Sequence, residues 1–142
     1  QMMRLRRSCR FISYYKEGSL AGLSFTVEGR GMVFVLYLAV SENIRSTGIG
    51  SEILSYLKNL YGKPLTLNIE PMDDTADNAD ERRRRYSFYE RNGFYNTGYL
   101  LRDTQMTYTV LSTAKDFLPD VYYETLLGIH PGGLGMPEIL KK

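Results

Sequence analysis

Cysteine is almost missing from this sequence. One residue in 142, Cys9, leaves no internal disulfide to form and fits a reducing compartment, so a cytoplasmic setting is the expectation. Histidine is as scarce: the one copy, His130, sits in Ile-His-Pro-Gly-Gly with no second ligand pattern near it, and no metal site is expected. No stretch approaches the roughly 18 consecutive apolar residues of a membrane helix. The longest, Met32–Val40, suits a buried strand instead, so no membrane partner is expected. The opening Gln1-Met2-Met3-Arg4 lacks the apolar core of a secretory signal, and a chain starting on Gln reads as a scar or an internal cut. Tryptophan is absent, while 12 Tyr and 6 Phe are present, a bias that suits strands and half-wet pockets. A net charge of +2 is too small to imply nucleic acid.

What is present looks like one ordinary globular domain. The chain is 43% apolar and 24% charged, and its length matches a single unit spanning 1–142, with 11–111 as core and 112–142 as a C-terminal tail. Alternating or continuous apolar runs predict strands at Phe11–Lys16, Leu20–Val27 and Met32–Val40, separated by Gly-containing turns. The unbroken run at Met32–Val40 predicts burial on both faces. The period then changes. Ile53, Leu54, Leu57 and Leu60 predict a helix over Ser51–Leu60, closed by Gly62-Lys63-Pro64. Leu65–Ile69 follows as a strand, and a strand–helix–strand order predicts parallel pairing with Met32–Val40. After an acidic loop at 71–80 come a helix at Glu81–Arg91, strands at Phe94–Leu101 and Gln105–Leu111, and a helix at Pro119–Leu127. His130–Leu140 is rich in Gly and Pro and reads as irregular. The fold class is therefore α/β, a mixed sheet carrying helices.

The informative stretch is Leu38-Ala39-Val40 followed by Arg45-Ser46-Thr47-Gly48-Ile49-Gly50-Ser51. A buried strand runs into a loop with the pattern Arg45-x-x-Gly48-x-Gly50, and a helix begins at once. Two glycines permit a tight turn with no Cβ in the way. Backbone N–H groups of such a turn, joined to a helix N-terminus, suit a diphosphate. The loop is not that of a P-loop NTPase, since no Gly-Lys-Ser/Thr follows, and Ile53 breaks the dinucleotide pattern. Taken alone, the two glycines also fit a plain strand–loop–helix turn.

Residues 45–50 resemble the diphosphate loop of the GNAT N-acetyltransferases, [Q/R]-x-x-G-x-[G/A]. Phe88-Tyr89-Glu90-Arg91-Asn92-Gly93-Phe94 is similar to that family's second signature, and the elements between the two fit as well. The resemblance covers about 11–111. It implies an antiparallel meander, then a parallel β-α-β unit whose strands splay apart and admit the arm of acetyl-coenzyme A. It further implies that Leu38, Ala39 and Val40 offer backbone bonds to that arm. Arg45, Ser46, Thr47, Gly48, Ile49, Gly50 and Ser51 would hold the diphosphate. Tyr89 would protonate the departing thiolate. The acetyl group would pass directly to a primary amine of a small molecule, a peptide N-terminus or a lysine.

Other assignments are less specific. Glu70, at the mouth of the splay, is the expected base, with Glu42 competing and a solvated carboxylate fitting either one. Arg82 and Arg85 stand where many family members carry Asn and Ala, and are expected to meet cofactor phosphates. Arg83 and Arg84 are expected to face solvent. Balanced charge around the arginine run argues against nucleic acid. The acidic loop either attracts a cationic acceptor or is simply solvated. Only ten residues precede Phe11, whereas the family opens with further elements, so the chain reads as shortened there or as compensated by its tail. An exposed edge would favour a homodimer. A catalytically silent module that binds acyl-coenzyme A is the alternative function.

Overall fold

The structure, a computed structural model, describes residues 9–42, 48–127 and 138–141. Its centre is one mixed sheet of seven strands, ordered β1-β2-β3-β4-β6-β5-β7. These strands are β1 (Cys9–Lys16), β2 (Ser19–Glu28), β3 (Val33–Val40), β4 (Leu65–Ile69), β5 (Tyr95–Arg102), β6 (Thr107–Ser112) and β7 (Glu138–Lys141). The helices are α1 (Ile49–Tyr61), α2 (Ala79–Arg91) and α3 (Pro119–Leu126). The expected meander is present, with β1–β2 and β2–β3 both antiparallel. The expected parallel pair is β3–β4.

Helix α1 forms because Ile53, Leu54 and Leu57 share one face, and all three are buried. Two glycines in left-handed geometry bracket it, Gly48 at φ +87° and Gly62 at φ +62°. At the far end the Gly62 N–H bonds back to the Lys58 carbonyl at 2.9 Å. α1 and α2 pack on one sheet face, where Val33, Val35, Leu65, Leu67 and Leu111 meet Leu54, Leu57 and Tyr89. α3 packs on a second cluster with Val27, Phe34, Leu101 and Val110, and its Tyr122 is fully buried there.

Two expectations need correction. Residues 138–140, at the end of the stretch expected to be irregular, join Lys141 in β7, which pairs antiparallel with β5 from Tyr99↔Lys141 to Arg102↔Glu138. Backbone pairing with β5 supplies order that the Gly/Pro-rich composition before it does not suggest. The other concerns β3. Val33, Phe34 and Val35 are buried, but Leu36 is 45% and Tyr37 is 52% exposed. Burial on both faces therefore holds only for the first half of that strand.

Candidate active site

The change along β3 has a geometric cause. β3 and β4 pair only at Val33↔Leu65 and Phe34↔Thr66. Beyond that point the two strands separate. β4 stays bonded to β6 as far as Ile69↔Thr109. β3 stays bonded to β2 as far as Val40, but its register slips between Phe25 and Thr26, which face Tyr37 and Val35. Leu36 is the extra residue of this bulge. A bulge bends and twists its strand, which turns the end of β3 away from β4. The facing backbone edges of β3 and β4 are left without a strand between them.

Two connected hollows fill the opening. The larger, about 620 Å³, is lined by Leu38, Ala39 and Val40 on one side and by Gly48, Ile49, Gly50 and Ser51 on another. Helix α2 closes it with Arg84, Arg85, Phe88 and Arg91. The smaller, about 280 Å³, lies between the splayed strands and is lined by Leu36, Asn68, Glu70, Tyr89 and Tyr108. Tyr37, Leu38 and Arg85 line both.

The turn into α1 shows two different uses of glycine. Gly48 needs its positive φ, and nothing lies within 4 Å of where its Cβ would be. Gly50 needs closeness: a Cβ there would sit 2.8 Å from Cζ and 3.1 Å from Cε1 of Phe88. That approach brings the start of α1 against α2. A helix leaves the amides of its first turn without internal acceptors, here those of Ile49, Gly50 and Ser51, and they border the larger hollow. Arg45, Ser46 and Thr47, expected to complete the loop, lie outside the described residues.

Tyr89 stands where the smaller hollow meets the core. It is 9% exposed, with edge-on ring contacts to Phe88 and Phe94 at 5.1 and 5.3 Å. Burial pushes its phenol up to about 12, against a smaller lowering by the Arg85 charge. The group is therefore a neutral O–H donor across the physiological range. Among the described residues that hydroxyl has no hydrogen-bond partner.

Glu70 is in a different state from the free base expected of it. Arg82 donates to its Oε2 at 3.0 Å, while Arg85 at 3.1 Å and Asn78 at 3.2 Å donate to Oε1. Burial acts to raise this carboxyl, but the Arg85 and Asn78 hydrogen bonds and the arginine charges outweigh it and hold it below the usual range. A carboxylate so stabilised is a poorer proton acceptor.

The arginine run is likewise resolved by its partners. Arg82 is absent from the lining of both hollows. Its guanidinium is committed to Glu70, to Asn78 Oδ1 at 2.8 Å and to the Pro71 carbonyl at 3.0 Å, so the expected phosphate role does not fit it. Arg83 pairs with Asp74 at 2.9 Å and with Asp80. Arg84 is exposed, as expected, and also lines the larger hollow. The run is thus not a patch of four free cations. Arg91 and Phe88, given no role of their own in the signature segment, and Asn68 and Tyr108 also line the hollows. Arg84, Phe88 and Arg91 do recur at helical spacing of four and three, a signal that was available. Asn68 is held from the opposite sheet face, where Tyr122 of α3 donates to its Oδ1 at 2.5 Å.

The family model of the acetyltransferase (GNAT) domain matches residues 7–96, more than half of the chain. The chain belongs to the GNAT family. This GNAT domain is 32% identical over 81 residues to YjbC of Bacillus subtilis (strain 168), covering 57% of this chain and 40% of that protein. It therefore spans well under half the length of that relative. A GNAT-family protein from Bacteroides thetaiotaomicron superimposes with a TM-score of 0.63 at 16% identity, over 95% of this chain and 81% of its own. An aminoglycoside 6'-N-acetyltransferase complexed with coenzyme A gives 0.59 at 18% identity, over 78% and 74%. These two likenesses establish the fold. They agree with the seven-stranded mixed sheet and its parallel β3–β4 pair. Among the described residues no cluster of His, Cys, Asp and Glu fit for a metal occurs, and no helix is long and apolar enough to cross a membrane.

Proposed function

We propose that residues 1–142 act as one acetyltransferase domain that moves the acetyl group of acetyl-coenzyme A directly to a primary amine. The observation that carries this reading is the continuous path from the α1 amides, past the open edge of β3, to the unpartnered phenol of Tyr89. The cofactor supplies an activated thioester. The amides of Ile49, Gly50 and Ser51 meet a diphosphate at the positive end of α1. The free edge of Leu38, Ala39 and Val40 pairs with an amide-bearing arm in the way an added strand would. An amide of the same edge polarises the acyl carbonyl. The acceptor attacks as the free amine and its surplus proton passes to solvent water, while Tyr89, neutral and desolvated, donates toward the departing sulfur and is reprotonated from solvent.

Glu70 takes a positioning role in this scheme. Its two oxygens fix Arg85 over the junction of the hollows and Arg82 behind it. The acceptor enters the smaller hollow, where Leu36, Tyr37 and Tyr108 give apolar walls and Glu70 the one carboxylate among the described lining residues. This favours a compact amine carrying an apolar body, with a peptide N-terminus or lysine side chain as the same group on a larger carrier.

The test is thiol release from acetyl-coenzyme A with a panel of small amines and short peptides, alongside coenzyme A binding by calorimetry. Amine-dependent thiol release supports the enzyme. Tight binding without release under any acceptor would leave the silent acyl-coenzyme A module instead, and absence of binding would remove both.

A further inference from the structure

Helix α2 carries Arg82, Arg83, Arg84, Arg85 and Arg91. Three are neutralised: Arg82 by Glu70, Arg83 by Asp74 and Asp80, and Arg85 by Glu70 and, at 3.7 Å, by Glu81. Arg84 and Arg91 have no carboxylate partner among the described residues. Both are exposed, and both line the larger hollow together with an adjoining one of about 320 Å³ shared with Arg83 and Ser87. Seven residues apart, they lie on one helix face about 10 Å apart along the axis.

Phe88 fixes where this pair stands. It lies four residues after Arg84 and three before Arg91, so each is one turn from it. Its ring is the group that meets the Gly50 position in the first turn of α1. Two unpaired guanidinium groups therefore flank the entry to the turn whose amides face a diphosphate. Glu81 is the one acid among the described lining residues, and it is turned to Arg85. The diphosphate already has the amide donors, which leaves the two arginines and the Ser87 hydroxyl for another anion.

Resting on the coenzyme A reading above, we propose that Arg84, Arg91 and Ser87 form a subsite for a phosphomonoester on the nucleotide end of the cofactor, so that this chain discriminates coenzyme A from dephospho-coenzyme A. A phosphomonoester carries close to two negative charges at neutral pH and three acceptor oxygens, and forked guanidinium donors match it. A diphosphate lacks that terminal dianion, so the preference belongs to the 3'-phosphate and not to the shared part of the two ligands.

The test is calorimetric titration of the full chain with coenzyme A and with dephospho-coenzyme A at one pH and one salt concentration. The wild-type chain should bind coenzyme A at least about tenfold more tightly, the range of one or two exposed charge-assisted contacts. The double variant Arg84→Ala/Arg91→Ala should lose that preference while its affinity for dephospho-coenzyme A stays within about twofold. Both side chains are exposed, and an unchanged thermal midpoint would show that the variant folds. Equal wild-type affinities for the two ligands would overturn the subsite, as would an equal loss for both in the variant. Failure of the wild type to bind either ligand would instead overturn the cofactor reading on which the subsite rests.

Discussion

Replacing Gly50 with Ala tests the junction of α1 and α2 most directly. The added methyl would sit 2.8 Å from Phe88 Cζ and 3.1 Å from Cε1, while Val40 Cγ2 at 3.6 Å is an ordinary contact. Carbon atoms rest at about 3.5–4.0 Å, so the ring must withdraw by about 1 Å. It cannot move freely, because it packs edge-on against Tyr89, which in turn packs on Phe94. Overpacking of this kind costs about 1–3 kcal/mol, and the helix-propensity gain of Ala over Gly returns at most about 1 kcal/mol. The expected net loss is about 1 kcal/mol. Phe88→Leu removes the obstacle, so it should cancel most of that loss when combined with Gly50→Ala. Urea midpoints of the wild type, both single variants and the double variant give the coupling, expected at about 1 kcal/mol. Additive effects within about 0.3 kcal/mol, or a Gly50→Ala chain more stable than the wild type, would refute the reasoning. Gly50 would then serve only the turn.

Tyr89→Phe should lower kcat at least about tenfold with coenzyme A affinity unchanged, and an unaltered kcat would remove Tyr89 as the acid. Glu70→Gln should weaken the hold on Arg82 and Arg85 and act on KM and kcat together, without the loss of an acidic limb in the pH–rate profile that deletion of a general base would bring. In alkaline titration followed by tyrosinate absorbance, Tyr89 and Tyr122, both raised chiefly by burial, should ionise well after the exposed tyrosines. For Tyr89 the sign is fixed: a folded value near 12 against 10 unfolded contributes stability fully present below pH 10 and lost as pH rises through 12. The size is on the order of 3 kcal/mol. Ionisation of all 12 tyrosines near pH 10 in the native chain would contradict the burial of these two.

Local signals were legible wherever local physics decides. Ile53, Leu54 and Leu57 define the buried face of α1 by spacing alone. Gly48 and Gly62 mark its ends because only a residue without Cβ takes those φ values at ease. The meander and the parallel β3–β4 pair follow from chain order and short connections. The Gly50 contact was not legible, because a close approach depends on what stands opposite, and Phe88 arrives from 38 residues away in sequence. The ion pairs of α2 escaped for the same reason. A run of four arginines looks uniform until the 70–80 segment folds back and sorts it, giving Glu70 to Arg82 and Arg85, and Asp74 with Asp80 to Arg83.

The opening between β3 and β4 is the instructive case. Periodicity cannot announce it, since Met32–Val40 is apolar from end to end and an apolar run implies neighbours on every side. What parts the strands is a one-residue slip at Leu36, and a slip is a property of two strands in register, not of either alone. Having lost β4 as a partner, Leu36 and Tyr37 are exposed although their residue types favour burial. An apolar, unpaired strand edge facing solvent would be a liability in a chain with no ligand for it. Its position beside free helix amides, and its run toward the Tyr89 phenol, fit the proposed partner: an amide-bearing arm with a diphosphate at one end and a reactive group at the other. On the proposed function, the exposed apolar residues of β3 are accounted for by the cofactor that would cover them. Filling the cleft with coenzyme A should therefore protect the amides of 35–40 from hydrogen exchange more than those of β1, and uniform protection along both strands would break the connection.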